Sequence, residues 1–188
     1  MRPGGIGGRL MSKLLSSKRL TLLWGRLPLP RRARTAIIWL LSPKFTVGVM
    51  GLVRDDEGRV LLLKHTYRPG NPWGLPGGGL RVNESLEDCI RREVREEANL
   101  RVQVVEMLSA AAHYDRRLVD MIFACRLCPG ESLDTFKPNA EIAEARFFAL
   151  DDLPADMSRS QRKLVQIAAR QLAGDRSLRY EPELGEMP

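Results

Sequence analysis

Three consecutive glycines, Gly77, Gly78 and Gly79, close a proline-marked loop and lead into Ser85 to Ala98, a stretch with neither Gly nor Pro and the composition of a helix. At about 100° per residue this helix puts Glu93, Glu96 and Glu97 within an arc of about 100° on one side. Arg91 and Arg95 project to the opposite side, while Ile90 and Val94 lie beside the acids, so the acidic patch borders the buried face. Carboxylates at i, i+3 and i+4 repel one another, and protonation or bound cations must relieve them. For donors that are all oxygen the matching cation is hard, Mg²⁺ with Mn²⁺ as substitute. Solvated Glu-rich helices are common; the adjoining glycines set this one apart. Their backbone can approach a ligand closely, offering carbonyls to a metal or amides to a phosphate.

The surrounding pattern tells how such a helix would be supported. Val47, Val49, Leu52 and Val53 lead to the turn signal Asp55-Asp56-Glu57-Gly58 and then to Val60 through Leu63, which reads as a hairpin. Asn71-Pro72 and Pro76-Gly77 mark a long loop ahead of the helix. Strand patterns follow at Val102 to Leu108, continuing toward His113, at Leu118 to Leu127 and at Ala145 to Ala149. Ser158 is positioned to cap a last helix reaching Leu172, with Gly174 beyond it. Strands framed by helices predict an α+β fold, an α/β/α sandwich around a mixed β-sheet.

The chain has 188 residues, enough for one domain that buries its own core. Its net charge of +7 is unevenly spread, because residues 1–44 hold ten Lys or Arg and no acid, which leaves −3 on the remainder. The expected organisation is a basic extension over 1–44, a domain over 45–174 and a tail over 175–188. The extension predicts one or two short helices packed on the domain, or an arm for a membrane surface or nucleic acid, or a targeting segment. The longest apolar run, Val47 to Val53, is far too short to span a bilayer, for which about 18 residues are needed. Three cysteines, Cys89, Cys125 and Cys128, make no disulfide framework and suit a reducing compartment. The cytoplasm is therefore the expected location, with organelle targeting or membrane-surface association through the extension left open. Cys125 and Cys128 have the spacing of half a zinc site but lack a second pair, so they read as small apolar residues near a strand end.

The segment Trp73 to Leu100 closely resembles the signature of the Nudix hydrolase family: Gly, five residues, Glu, seven residues, then Arg-Glu-aliphatic-x-Glu-Glu-x-Gly-aliphatic. Gly78, Glu84, Arg92, Glu93, Val94, Glu96, Glu97 and Leu100 fall on it in register, and Asn99 stands where the family has glycine. Asn is the non-glycine residue that best tolerates the left-handed conformation ending a helix. A looser similarity extends from Phe45 to Pro154 and includes Glu141 to Phe148. The resemblance implies that Glu93, Glu96 and Glu97 bind Mg²⁺ or Mn²⁺ with a Gly77 or Gly78 carbonyl. It implies that Glu84 and Arg92 brace the loop, and that Trp73 and Pro76 shape it. Glu93 or Glu97 is the expected proton acceptor, with Glu141 a remoter candidate.

The activity so implied is a Mg²⁺-dependent pyrophosphohydrolase acting on a nucleoside diphosphate derivative: a nucleotide sugar, a dinucleotide or a (d)NTP. Two other readings stand beside it, a nucleotide-sensing regulatory module without hydrolysis and a hydrolase of RNA 5′ ends, the latter drawing on the basic extension. A homodimer is among the expected assemblies. The base and leaving group are not indicated. The proline that ADP-ribose-cleaving members often carry soon after the signature is absent, since no proline lies between Pro76 and Pro129. Tyr114, His113, His65, Phe123 and Phe148 are candidates to touch a base or ribose, with packing an equal alternative for each.

Overall fold

The computed structural model describes residues 30–175. The chain divides into two compact units, 1–43 and 44–188. In the first, helix α1 (Arg31–Leu41) stops at Ser42-Pro43; it buries none of its residues, and Ile38, Trp39 and Leu40 are more than half exposed. No helix among the described residues is long and apolar enough to cross a membrane.

The second unit contains β1 (Thr46–Arg54), β2 (Val60–His65), β3 (Trp73–Gly74), β4 (Gly77–Gly79), α2 (Leu86–Ala98), β5 (Val102–His113), β6 (Leu118–Leu127), β7 (Ile142–Phe148) and α3 (Arg159–Leu172). The described strands form one mixed seven-stranded sheet ordered β3-β2-β1-β6-β5, with β4 added on β1 and β7 on β2. β1 and β6 run parallel, from Thr46↔Leu118 to Arg54↔Arg126, and the other pairings between these strands are antiparallel.

Alternation along the strands sends side chains to two cores. Val49, Val53, Leu61, Leu63 and Phe123 pack with Ile90 and Val94 of α2. Leu52, Leu62, Trp73 and Phe148 pack with Leu164, Val165 and Ala168 of α3. The result is the α/β/α sandwich. Gly51 allows α2 to approach, since a Cβ there would lie 2.9 Å from Ile90 Cδ1.

The hairpin reading holds only at its turn. Asp55 closes that turn by accepting from the Gly58 and Arg59 amides, and Arg54↔Val60 is the single residue pair between β1 and β2. Beyond it the strands part, because β4 occupies the edge of β1 and β3 and β7 take the two edges of β2. The segment expected to be a loop thus supplies two short strands. At Gly77 a Cβ would meet the backbone of Val49 and Met50, so the missing side chain there is what lets β4 pair with β1. The last strand runs from Ile142 to Phe148, one residue short of the expected Ala149, and Asn139 Oδ1 accepts from the Glu141 and Ile142 amides where it starts.

Candidate active site

Site geometry starts from the ends of α2. Ser85 accepts a hydrogen bond from the Asp88 amide, and Glu87 and Asp88 lie in the first turn, where the helix dipole favours them. At the other end Asn99 takes φ 56° and ψ 33° and its amide donates to Arg95 O. Asn99 Nδ2 also donates to Thr135 Oγ1 at 3.1 Å, a tertiary contact that glycine could not make.

Arg92 organises the middle of the helix. Its Nε donates to Glu84 Oε1 (2.6 Å) and Nη2 to Glu84 Oε2 (3.0 Å) and to Gly79 O (3.1 Å). Nη1 donates to Glu93 Oε1 (2.6 Å) and Glu96 Oε2 (3.2 Å). One guanidinium thus ties the loop before the helix, the β4 backbone and two of the three clustered glutamates together. The bond from Arg92 holds Glu84 down at about 2, and Glu84 in turn pushes the Arg92 guanidinium further up. Glu96 turns outward, about half exposed, and accepts two bonds from Arg81.

Glu97 has a different environment. It is 9% exposed, and its Oε2 accepts a 2.8 Å bond from the Gly77 amide. Burial pushes it up to about 7 against that bond, and the nearby negative charges of Glu93 and Glu141 push the same way. Gly78 backs the Glu93 carboxylate so closely that a Cβ there would sit 2.6 Å from Glu93 Cδ.

Glu93, Glu96 and Glu97 line a cleft of about 280 Å³ whose other wall is Asn139, Ala140, Glu141 and Ile142. This wall is fixed to the loop after β2, where the Thr66 amide donates to Glu141 O (2.9 Å) and the Thr66 hydroxyl to Ala140 O (2.7 Å). Among the described residues, no group of three acids, histidines or cysteines stands close enough as placed to hold an ion. Guanidinium and amide donors satisfy the carboxylates instead. The donor chemistry nonetheless fits a hard divalent cation: oxygens only, one carboxylate buried at a cost, and a strand backbone that no side chain keeps away. It is the Gly77 amide, not the carbonyl, that faces Glu97.

Of the candidates to touch a base or ribose, Phe123 and Phe148 are core residues, Phe148 stacking edge-on with Trp73 at 5.0 Å. Tyr114 is 80% exposed and meets Phe45 edge-on. His113 is buried, 3.3 Å from Asp120 at the end of β6 away from the Arg54 turn. His65 is buried next to Gly74. Cys125 faces the α2 core, and burial raises its thiol to about 12, as expected of an inert packing residue. Sequence reasoning passed over Arg68, Arg81, Asn139 and Gln161. Pro138-Asn139 carried a turn signal, but nothing in the pattern pointed to the other three.

A glycine strand backed against an acidic helix opens on a carboxylate-lined cleft within an α/β/α sandwich. The comparisons with known proteins make the class specific. The NUDIX domain model matches residues 44–167, and the chain belongs to that family. It is 31% identical over 116 residues to an ADP-ribose pyrophosphatase of Methanocaldococcus jannaschii, covering 57% of this chain and 64% of that protein. To a MutT-like protein of Streptomyces ambofaciens it is 34% identical over 84 residues, covering 45% and 53%. The chain thus spans between half and two thirds of the length of these curated relatives. The structure matches a Nudix hydrolase from Nitrosomonas europaea with TM-score 0.62 and 27% identity, over 74% of this chain and 78% of that one.

Proposed function

We propose that the chain is a Mg²⁺-dependent pyrophosphohydrolase that cleaves the diphosphate of a nucleoside diphosphate derivative, with ADP-ribose the first substrate to examine. The observation that carries this reading is the pairing of Glu97 and Glu93 with the β4 backbone on one wall of a cleft whose opposite wall presents Glu141. The activity for which the Methanocaldococcus relative is named directs the choice of substrate. In this reading Glu93, Glu96 and Glu97 hold the cation, with the backbone of Gly77 or Gly78 beside them. A cation there would neutralise phosphate charge and acidify a bound water.

The rest is the work of the chain's own groups. Arg92 keeps Glu84, Glu93 and the Gly79 carbonyl in one arrangement, so the acids meet a ligand already oriented. Glu141 projects from the facing wall, and among the described residues its carboxylate has no hydrogen bond or ion pair. It is the acid best placed to accept a proton from an attacking water, because the α2 glutamates are engaged by Arg92, Arg81 and the Gly77 amide. A module that only senses nucleotides would have no use for the full acidic set. The test is a panel of nucleotide sugars, dinucleotides and nucleoside triphosphates with Mg²⁺, products identified by mass spectrometry. Release of AMP and ribose 5-phosphate from ADP-ribose supports the reading, and failure to hydrolyse any diphosphate refutes it.

A further inference from the structure

Arg68 lies in the loop between β2 and β3, and among the described residues its guanidinium makes no hydrogen bond or ion pair. It lies over the Tyr67 ring at 5.5 Å. It also rests on the backbone of Gly74, where Arg68 Nη1 is 2.8 Å from the position a Cβ would take. Two further polar ends converge on that position, His65 Nε2 at 3.4 Å and Gln161 Oε1 at 3.7 Å. Both ring nitrogens of His65 and the Gln161 Oε1 are shielded from solvent and have no hydrogen-bond partner among the described residues, and His65 is only 3% exposed. Unpaired buried polar atoms are costly, so His65 Nε2 and Gln161 Oε1 beside one glycine mark a place where a ligand completes the bonding.

This group of polar ends is tied to the acidic cleft. Thr66, two residues before Arg68, is bonded to Ala140 and Glu141 of the cleft wall, and the charge of Arg68 acts on both His65 and Glu97. Arg92 and Arg81 are consumed by Glu84, Glu93 and Glu96, whereas Arg68 keeps its donors for an incoming anion. A guanidinium only donates and matches phosphate oxygens. A neutral imidazole, with one donor and one acceptor, and an amide oxygen match hydroxyls, which do both.

We propose that Arg68, His65 and Gln161 form a second binding subsite beside the carboxylate cleft, in which Arg68 pairs with a phosphate oxygen of the diphosphate and His65 and Gln161 take hydroxyls of the attached sugar. The inference rests on the hydrolase reading for its ligand, and its test separates the two. Full-length Arg68→Ala, Arg68→Lys and Gln161→Ala proteins are compared with wild type in two ways. One is steady-state hydrolysis of ADP-ribose with Mg²⁺; the other is calorimetric binding of ADP-ribose and of inorganic pyrophosphate in excess EDTA, where no turnover occurs. Arg68→Ala should raise KM roughly tenfold or more, the scale of a lost charged hydrogen bond, with kcat within about threefold. It should weaken both ligands in EDTA, and Arg68→Lys should restore part of the loss. Gln161→Ala should weaken ADP-ribose and leave pyrophosphate unchanged. Wild-type KM and wild-type affinities for Arg68→Ala would overturn the subsite while leaving the hydrolase reading intact. Arg68-dependent binding by a wild-type protein that hydrolyses no diphosphate would sustain the subsite and remove the hydrolase reading. The melting temperature of Arg68→Ala should stay close to wild type, because the guanidinium's stacking on the exposed Tyr67 ring is a weak contact.

Discussion

The three glycines of β4 should respond to alanine in three different ways, although they are adjacent and chemically identical. At Gly77 the new Cβ would meet Val49 O and lie 2.8 Å from Met50 Cα, both backbone atoms of β1 that cannot rotate away. β4 would have to retreat by more than half an ångström to reach ordinary contact, weakening its pairing with Gly48, Val49 and Met50 and the Gly77 amide bond to Glu97. Overpacking of this kind costs about 1–3 kcal/mol, and we place Gly77→Ala at the upper end. In a unit of this size that is a fall of roughly 5–15 °C in melting temperature. At Gly78 the obstacle is the Glu93 carboxylate, the far end of a flexible side chain. It can swing aside at the loss of one charged hydrogen bond, so Gly78→Ala should cost about 1.5 kcal/mol in stability, less than Gly77→Ala. The same swing breaks the 2.6 Å bond to Arg92 and moves an acid of the site, so kcat should fall by at least tenfold, roughly 1.4 kcal/mol in the barrier. At Gly79 the Cβ meets nothing within 4 Å and φ is not in the left-handed region, so Gly79→Ala should stay within about 0.5 kcal/mol of wild type. Urea denaturation with matched m-values and steady-state hydrolysis give both quantities. Equal effects at Gly78 and Gly79, or a Gly77→Ala protein as stable as wild type, would refute this account of the strand.

Other changes isolate single interactions. Glu141→Gln should lower kcat tenfold or more with little change in melting temperature, and unchanged turnover would remove Glu141 as proton acceptor. Asn99→Gly should be close to neutral in thermal melts, within about 0.5 kcal/mol, because the gain of glycine at a left-handed position is offset by the lost bond to Thr135. Asn99→Ala loses that bond and gains no conformational relief, so it should melt lower than either. Burial and the charge of Arg68 lower His65 to about 4, below its unfolded value of 6.5. The unfolded chain therefore binds the proton first, and the stability present above pH 6.5 is lost as pH falls toward 4, by up to about 3 kcal/mol. His65→Leu should flatten that part of the pH profile in urea denaturation; an identical profile would show that other groups cause it.

The layering and the identity of the acidic helix were legible because they depend on local pattern: alternation in β1, β5 and β6, and the register of Glu84, Arg92, Glu93, Glu96 and Glu97. The parting of β1 from β2 was not, because it depends on β4 competing for an edge, a contact between residues about thirty positions apart. The same applies to the wiring of the site. That Glu96 faces Arg81 while Glu97 is buried against an amide follows from where α2 docks, and helical spacing alone made the three glutamates equivalent. Asn99 looked like a tolerated substitute for glycine until Thr135, 36 residues away, came within its reach. His65 and Arg68 lie where chain direction, not periodicity, decides what each side chain meets.

The central claim is that the glutamates of α2 serve a divalent cation needed for diphosphate hydrolysis. Its most direct test is hydrolysis of ADP-ribose by metal-stripped protein titrated with Mg²⁺, run beside Glu97→Gln, which keeps the shape of the side chain and removes its charge. We expect no turnover before the titration, saturable recovery as Mg²⁺ is added, and a Glu97→Gln protein that stays folded but loses orders of magnitude in kcat. Full turnover by the stripped protein, or a loss of less than about tenfold in Glu97→Gln, would contradict the claim.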